Sequence, residues 1–215
     1  MKLLVFIFLL FYSIIPTNAQ TSIKEIINNM PEDMMPYINN DQMAELLEFT
    51  DKKDSVKIKN VFNGTSSIDS LSFNFAKISL SKATELQLKL LPAGDTTQIV
   101  CVVKTIKKPL RESTVKFYST DWESLNSEFG LPEKFNTDSI LNMFVQRPDT
   151  MSEVKFKELC NYFEPVMLTA NFENNDNIIT FSLSLPFVQK DTYKELNAIL
   201  KKISFKWDGQ KFKKC

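Results

Sequence analysis

The sequence predicts an α+β protein, an antiparallel sheet meander with helices packed on one face, in an α-then-β order that occurs twice. Three observations carry the prediction. Strand-like runs follow one another through short links over residues 56–122, as antiparallel neighbours do. Helical periodicity precedes those strands and returns after residue 126, ahead of a second set. Within residues 98–122, a run that is apolar on both faces (residues 99–103) is followed, after a polar break containing Pro109, by a run in which Val115 and Phe117 alternate with Thr114 and Lys116. These are the signatures of a central strand and its antiparallel neighbour.

The chain opens with Met1-Lys2, an apolar stretch over residues 3–15, and Pro16-Thr17-Asn18-Ala19. A short basic start, a hydrophobic segment too short to span a bilayer comfortably and a small residue at the end make a secretory signal. Cleavage is expected between Ala19 and Gln20. With no cysteine just after the cut to carry a lipid, the product is expected to be soluble, with no membrane insertion after signal removal, in the periplasm or at the cell surface.

In the remaining chain, Ser22 followed by Glu25 forms a capping box, and Ile23, Ile26, Ile27 and Met30 share one helical face. Pro31 ends that helix, because the residue before a proline is pushed out of the α region. After Pro36, Asn40 or Asp41 caps a second helix bearing Met43, Leu46 and Leu47. Strand patterns follow at Val56 and Ile58, at Leu71, Phe73 and Phe75, at Ile78 and Leu80, and at Leu86, Leu88 and Leu90. The apolar parity changes between Phe75 and Ile78. A period-2 element accommodates that by a bulge or a change of buried face, and a bulge is expected there. Asn63-Gly64 and residues 81–84 supply turns.

Residues 123–136, polar and holding Gly130 and Pro132, are the best seam between an N-terminal half (20–125) and a C-terminal half (126–215), whether these are two units or one continuous domain. Beyond it, residues near Thr137 cap a helix over 140–145, and Thr150 with Glu153 makes a second capping box ahead of Phe156, Leu159, Cys160 and Phe163. Strands over 166–172 and 178–185 and a helix over 191–200 lead to a closing hairpin turned at Asp208-Gly209.

Composition excludes much chemistry. There is no histidine, which removes the usual nucleophile triads, the common zinc sites and the commonest general base. Four glycines leave no phosphate-cradling loop. No catalytic residue, cofactor or metal ligand is assigned. Without Lys2 the charge balance is 25 basic against 26 acidic residues, which gives no reason to expect nucleic acid as partner. Cys101 and Cys160 read as small buried hydrophobes rather than a disulfide framework, with Cys215 the odd third. A paired-carboxylate glycoside hydrolase and a serine-lysine hydrolase need no histidine. Asp121 and Glu123, at a strand end, are the acids weighed for the first, against the plainer reading of solvated turn residues. Trp122 and Trp207, each beside an aspartate, suit a binding platform if exposed and core covers if buried. The six lysines between Lys201 and Lys214 read as a solvated edge that discourages stray strand pairing.

Three blocks carry a family resemblance: Met30-Pro31 with Met34-Met35-Pro36-Tyr37, the Leu91-Pro92 to Trp122 segment with Arg111-Glu112-Ser113 and Tyr118-Ser119-Thr120-Asp121-Trp122, and Trp207-Asp208-Gly209-Gln210-Lys211-Phe212. Together they resemble a family of exported Bacteroidales proteins of unknown function. The resemblance implies a Gram-negative exported protein and a fold similar to tandem helix-plus-antiparallel-sheet units of the β-lactamase-inhibitor-protein kind, with no catalytic residues to transfer. It also implies O-glycosylation at Asp-Ser/Thr triplets, of which the chain has five among twelve aspartates, at Ser55, Ser70, Thr96, Ser139 and Thr150. Average composition supplies about one. The competing reading is that such pairs are ordinary turns and caps. The functional expectation is an exported, non-enzymatic module that binds a macromolecule or a glycan; the alternative is the histidine-free glycoside hydrolase.

Overall fold

The computed structural model describes residues 20–51, 56–94, 97–132, 137–173 and 176–215. Helix α1 (Ile23–Asn28) starts with the expected reciprocal cap between Ser22 and Glu25. Helix α2 (Asn40–Asp51) is capped one residue earlier than the sequence indicated. Asn39 Oδ1 accepts from the Gln42 amide at 2.9 Å, and Gln42 Oε1 accepts from the Asn39 amide at 3.1 Å.

Seven strands follow in an uninterrupted antiparallel meander: β1 (Lys57–Lys59), β2 (Thr65–Leu71), β3 (Phe75–Ser79), β4 (Thr84–Pro92), β5 (Gln98–Ile106), β6 (Glu112–Ser119) and β7 (Ser124–Leu125). On one face, Ile78, Leu86, Leu88, Leu90, Val100 and Val102 bury against the stripes of α1 and α2. As predicted, β5 is buried on both faces from Ile99 to Val103.

Two details differ from the sequence reading. Leu71, Phe73 and Phe75 do not share a strand. The chain turns between Leu71 and Phe75, leaving Phe73 58% exposed, and β2 instead runs through the serine-rich segment from Thr65. Its polar composition hides the alternation on which recognition of a strand depends. The parity change is met by a change of buried face: Phe75 enters a second core while Ala76 and Ile78 face the helices. The bulge lies in the partner strand, between Ile68 and Ser70. There the Asp69 carboxylate accepts from Ser67 Oγ at 2.8 Å and Ser79 Oγ at 2.6 Å.

The rest of the chain forms α3 (Thr137–Phe144), α4 (Glu153–Cys160), β8 (Leu168–Phe172), β9 (Ile178–Leu183), α5 (Lys190–Ile199), β10 (Ile203–Trp207) and β11 (Phe212–Lys214), with strand order β11-β10-β9-β8. Ser152, not Thr150, caps α4, its Oγ accepting from the Lys155 amide at 3.3 Å. Thr150 lies in the turn that closes from the Met151 amide to the Pro148 carbonyl. The small sheet turns Phe172, Ile179, Phe205 and Trp207 toward Leu91, Cys101 and Phe117 of the large one, with Phe144, Leu159 and Leu196 from the helices in the same core. Apolar residues from both sides of residue 126 therefore share one interior.

The polar seam is anchored by Phe129-Gly130-Leu131. The Phe129 ring sits 4.9 Å from Phe117 and 5.8 Å from Trp207, and its carbonyl accepts from the Phe212 amide at 2.6 Å. Gly130 has φ +83°, and a Cβ there would lie 2.4 Å from the Phe212 carbonyl oxygen. Only a residue without a side chain fits that close approach.

Candidate functional site

Strand β4 carries the least expected feature. Its even positions meet the helices, and its odd positions, Glu85, Gln87 and Lys89, are also buried, with Gln87 lying against β8. Glu85 sits between Lys107 Nζ at 3.0 Å and Lys77 Nζ at 3.3 Å. Burial pushes its carboxyl upward in pKa, but the Lys107 hydrogen bond and the charge of Lys77 outweigh that and hold it below the ordinary value. Gln87 joins the layers. Its Nε2 donates to Asn171 Oδ1 at 2.5 Å and its Oε1 accepts from the Phe172 amide at 2.9 Å. Lys89 donates to Asn74 Oδ1 at 3.3 Å and lies 6.0 Å from the centre of the Phe75 ring. Burial lowers its pKa, partly offset by Asp176.

Two grooves border the β6 flank of the sheet. On the helix side, α1 and α2 stop short of β6, leaving a groove of about 510 Å³ bordered by Asp33, Met34, Lys104, Glu112, Lys116 and Tyr118. Tyr118 donates to Met34 Sδ at 3.7 Å. Burial and the charge of Asp33 both raise its pKa. On the other side a larger groove, about 710 Å³, runs beside residues 113–117 where the chain after β7 peels away, with Leu131, Leu168 and Phe181 beneath it. Among the described residues no group of acids or cysteines is placed to hold a metal ion. No described helix is long and apolar enough to cross a membrane.

A family model described as a protein of unknown function, DUF3256, matches residues 15–212. The chain belongs to that family. The structure of a domain of an uncharacterized protein from Porphyromonas gingivalis W83 has a similar fold, with a TM-score of 0.68 and 16% identity over 92% of this chain and 99% of that one. At such identity the likeness shows the fold alone. Among curated proteins none matches.

In this DUF3256 chain the residues singled out from sequence are mostly structural. Asp121 and Glu123 are exposed in a tight turn, where Ser119 Oγ accepts from both of their amides, at 3.2 and 3.1 Å. Neither borders a described groove. Both indoles are anchors rather than platforms. Trp122 Nε1 donates to the Ile26 carbonyl at 3.0 Å, tying the turn between β6 and β7 to α1, and Trp207 Nε1 donates to the Pro92 carbonyl at 2.6 Å from a buried site. Cys101 is buried, Cys160 half-buried and Cys215 exposed, all as free thiols. Burial drives the Cys101 pKa far upward.

Of the C-terminal lysines, Lys213 and Lys214 lie on the edge strand β11. Lys206 and Lys213 are exposed cross-strand neighbours on β10 and β11, and Lys213 pairs with Asp208 at 2.8 Å. Of the triplets, Ser70 and Thr150 are exposed and Ser139 lies in α3; Ser55 and Thr96 fall outside the described residues, as do residues 1–19. Sequence reasoning missed Gln87 and the β6 flank. Gln87 reads as an ordinary solvent-side residue, and a flank is set by where distant elements stop.

Proposed function

We propose that this protein is an exported, non-enzymatic binding module of the periplasm or cell surface, and that it engages a macromolecule or a glycan along the β6 flank. The observation that carries the reading is the pair of grooves on either side of one strand, each within the roughly 300–1,000 Å³ of ligand sites. Elsewhere the buried ionisable groups of β4 are engaged within the large sheet, Glu85 by Lys77 and Lys107 and Lys89 by Asn74. Export rests on the N-terminal signal pattern. A Bacteroidales source and a kinship with tandem helix-plus-sheet inhibitor units rest on the family resemblance and the repeated α-then-β order. Ser70 and Thr150 are the exposed candidates for glycan attachment.

The hydrolase alternative fits less well. Asp33 and Glu112 border the smaller groove, but both are exposed, whereas a glycosidic general acid needs a dry setting that raises its pKa. The test is a pull-down from host periplasmic and surface fractions with the purified protein, beside a hydrolase screen. A retained partner is expected. A hydrolytic activity abolished by Asp33→Asn or Glu112→Gln would overturn the reading.

A further inference from the structure

We propose that the outer edge of β6 binds an extended peptide segment by strand addition, with alternate apolar side chains of the guest seated on Leu131, Leu168 and Phe181. This rests on the binding-module reading and names the class of partner. The Ser119 amide donates outward to the Glu123 carbonyl at 2.9 Å. Because backbone direction alternates along a strand, Phe117, Val115 and Ser113 present their amide and carbonyl groups on the same outer side. Strand β7 pairs only with Phe117 and Tyr118. Among the described residues no strand takes up residues 112–116 on that side, and Ser113 and Val115 are left to offer two donors and two acceptors.

The larger groove lies along this edge and widens where Asn126 leaves the line of β7. A guest continuing that line would extend the ladder by about five residues. Its chemistry follows from the edge. Main-chain groups give affinity to any extended chain, and the apolar floor selects an alternating apolar pattern. A glycan or a folded protein surface does not supply a regular row of amides and carbonyls at strand spacing.

The test is selection of random peptides of about eight residues, long enough to cover the edge at about 3.4 Å per residue, on the purified protein. Enriched peptides are expected to alternate apolar and polar residues. Their binding should weaken about five- to tenfold for each inward-facing backbone nitrogen methylated, the value of one net hydrogen bond. Ser113→Pro and Val115→Pro each delete an outward amide, which edge strands tolerate, and should weaken binding comparably; Ser113→Ala, which loses only the hydroxyl bonded to Thr105, should leave binding unchanged. If neither variant folds, the methylated peptides on the parent protein decide. No enriched peptide, or affinities indifferent to methylation, would overturn the inference. A glycan or folded protein retained equally by Ser113→Pro would also overturn it while leaving the binding-module reading standing; no retained partner of any class would overturn that reading.

Discussion

The two faces of β4 are equally dry and chemically opposite. Leu86, Leu88 and Leu90 meet the helices, while Glu85 meets Lys77 and Lys107, Gln87 meets β8, and Lys89 meets Asn74 and Phe75. Burial of the leucines removes apolar area from water and is a direct source of stability. The polar row gains little by being buried, because each group exchanges water for a protein partner. What it adds is position. Gln87 reaches one side chain and one amide of β8, which fixes where the second layer crosses the first. Alternation along a strand thus separates two faces without saying which of them is wet.

The comparison breaks most readily on the leucine side. Leu88→Ala should cost about 2–5 kcal/mol in denaturant unfolding, since a fully buried side chain leaves a cavity. Glu85→Ala should cost about 2–4 kcal/mol, less than a fully enclosed pair would, because Lys77 and Lys107 keep partial access to water. The pH dependence has a definite sign. With its folded pKa depressed, Glu85 contributes fully above the ordinary glutamate value of 4.5, and the contribution is lost as pH falls through the folded pKa. Glu85→Gln should therefore flatten the acid limb of a stability profile; an unchanged limb would mean that the lysines do not hold the carboxylate.

Smaller effects sharpen the same contrast on the central pair. Val102→Ala should cost about 1–3 kcal/mol, and Lys116→Ala, exposed on the neighbouring strand, no more than about 0.5 kcal/mol. Equal losses at the two positions would show that β5 is not central. Cys101, on the other face of the same strand, should resist thiol reagents until the protein unfolds.

What was legible in the sequence was what local pattern encodes. The doubly apolar run of β5, the Ser22–Glu25 cap and the Asp208-Gly209 hairpin each carry their signal within a few residues, and each stands where expected. Strand β2 was obscured because serines occupy two of its buried positions, Ser66 and Ser67, with Ser66 Oγ donating to the Leu80 carbonyl at 2.6 Å. The burial of Gln87 was illegible because its covering residues lie 84 and 85 positions away. The β6 flank depends on the limits of α2, β7 and β8 together, a property of assembly rather than of any segment.

Hydrogen exchange at the Phe172 amide tests the interior character of the polar face most directly. That N–H donates to the Gln87 side chain, so its protection reports the contact between layers rather than a sheet ladder. Slow exchange in the parent protein, lost in Gln87→Ala while Ile179 stays protected, is the predicted result. Fast exchange at Phe172 in the parent, or protection unchanged by Gln87→Ala, would contradict it.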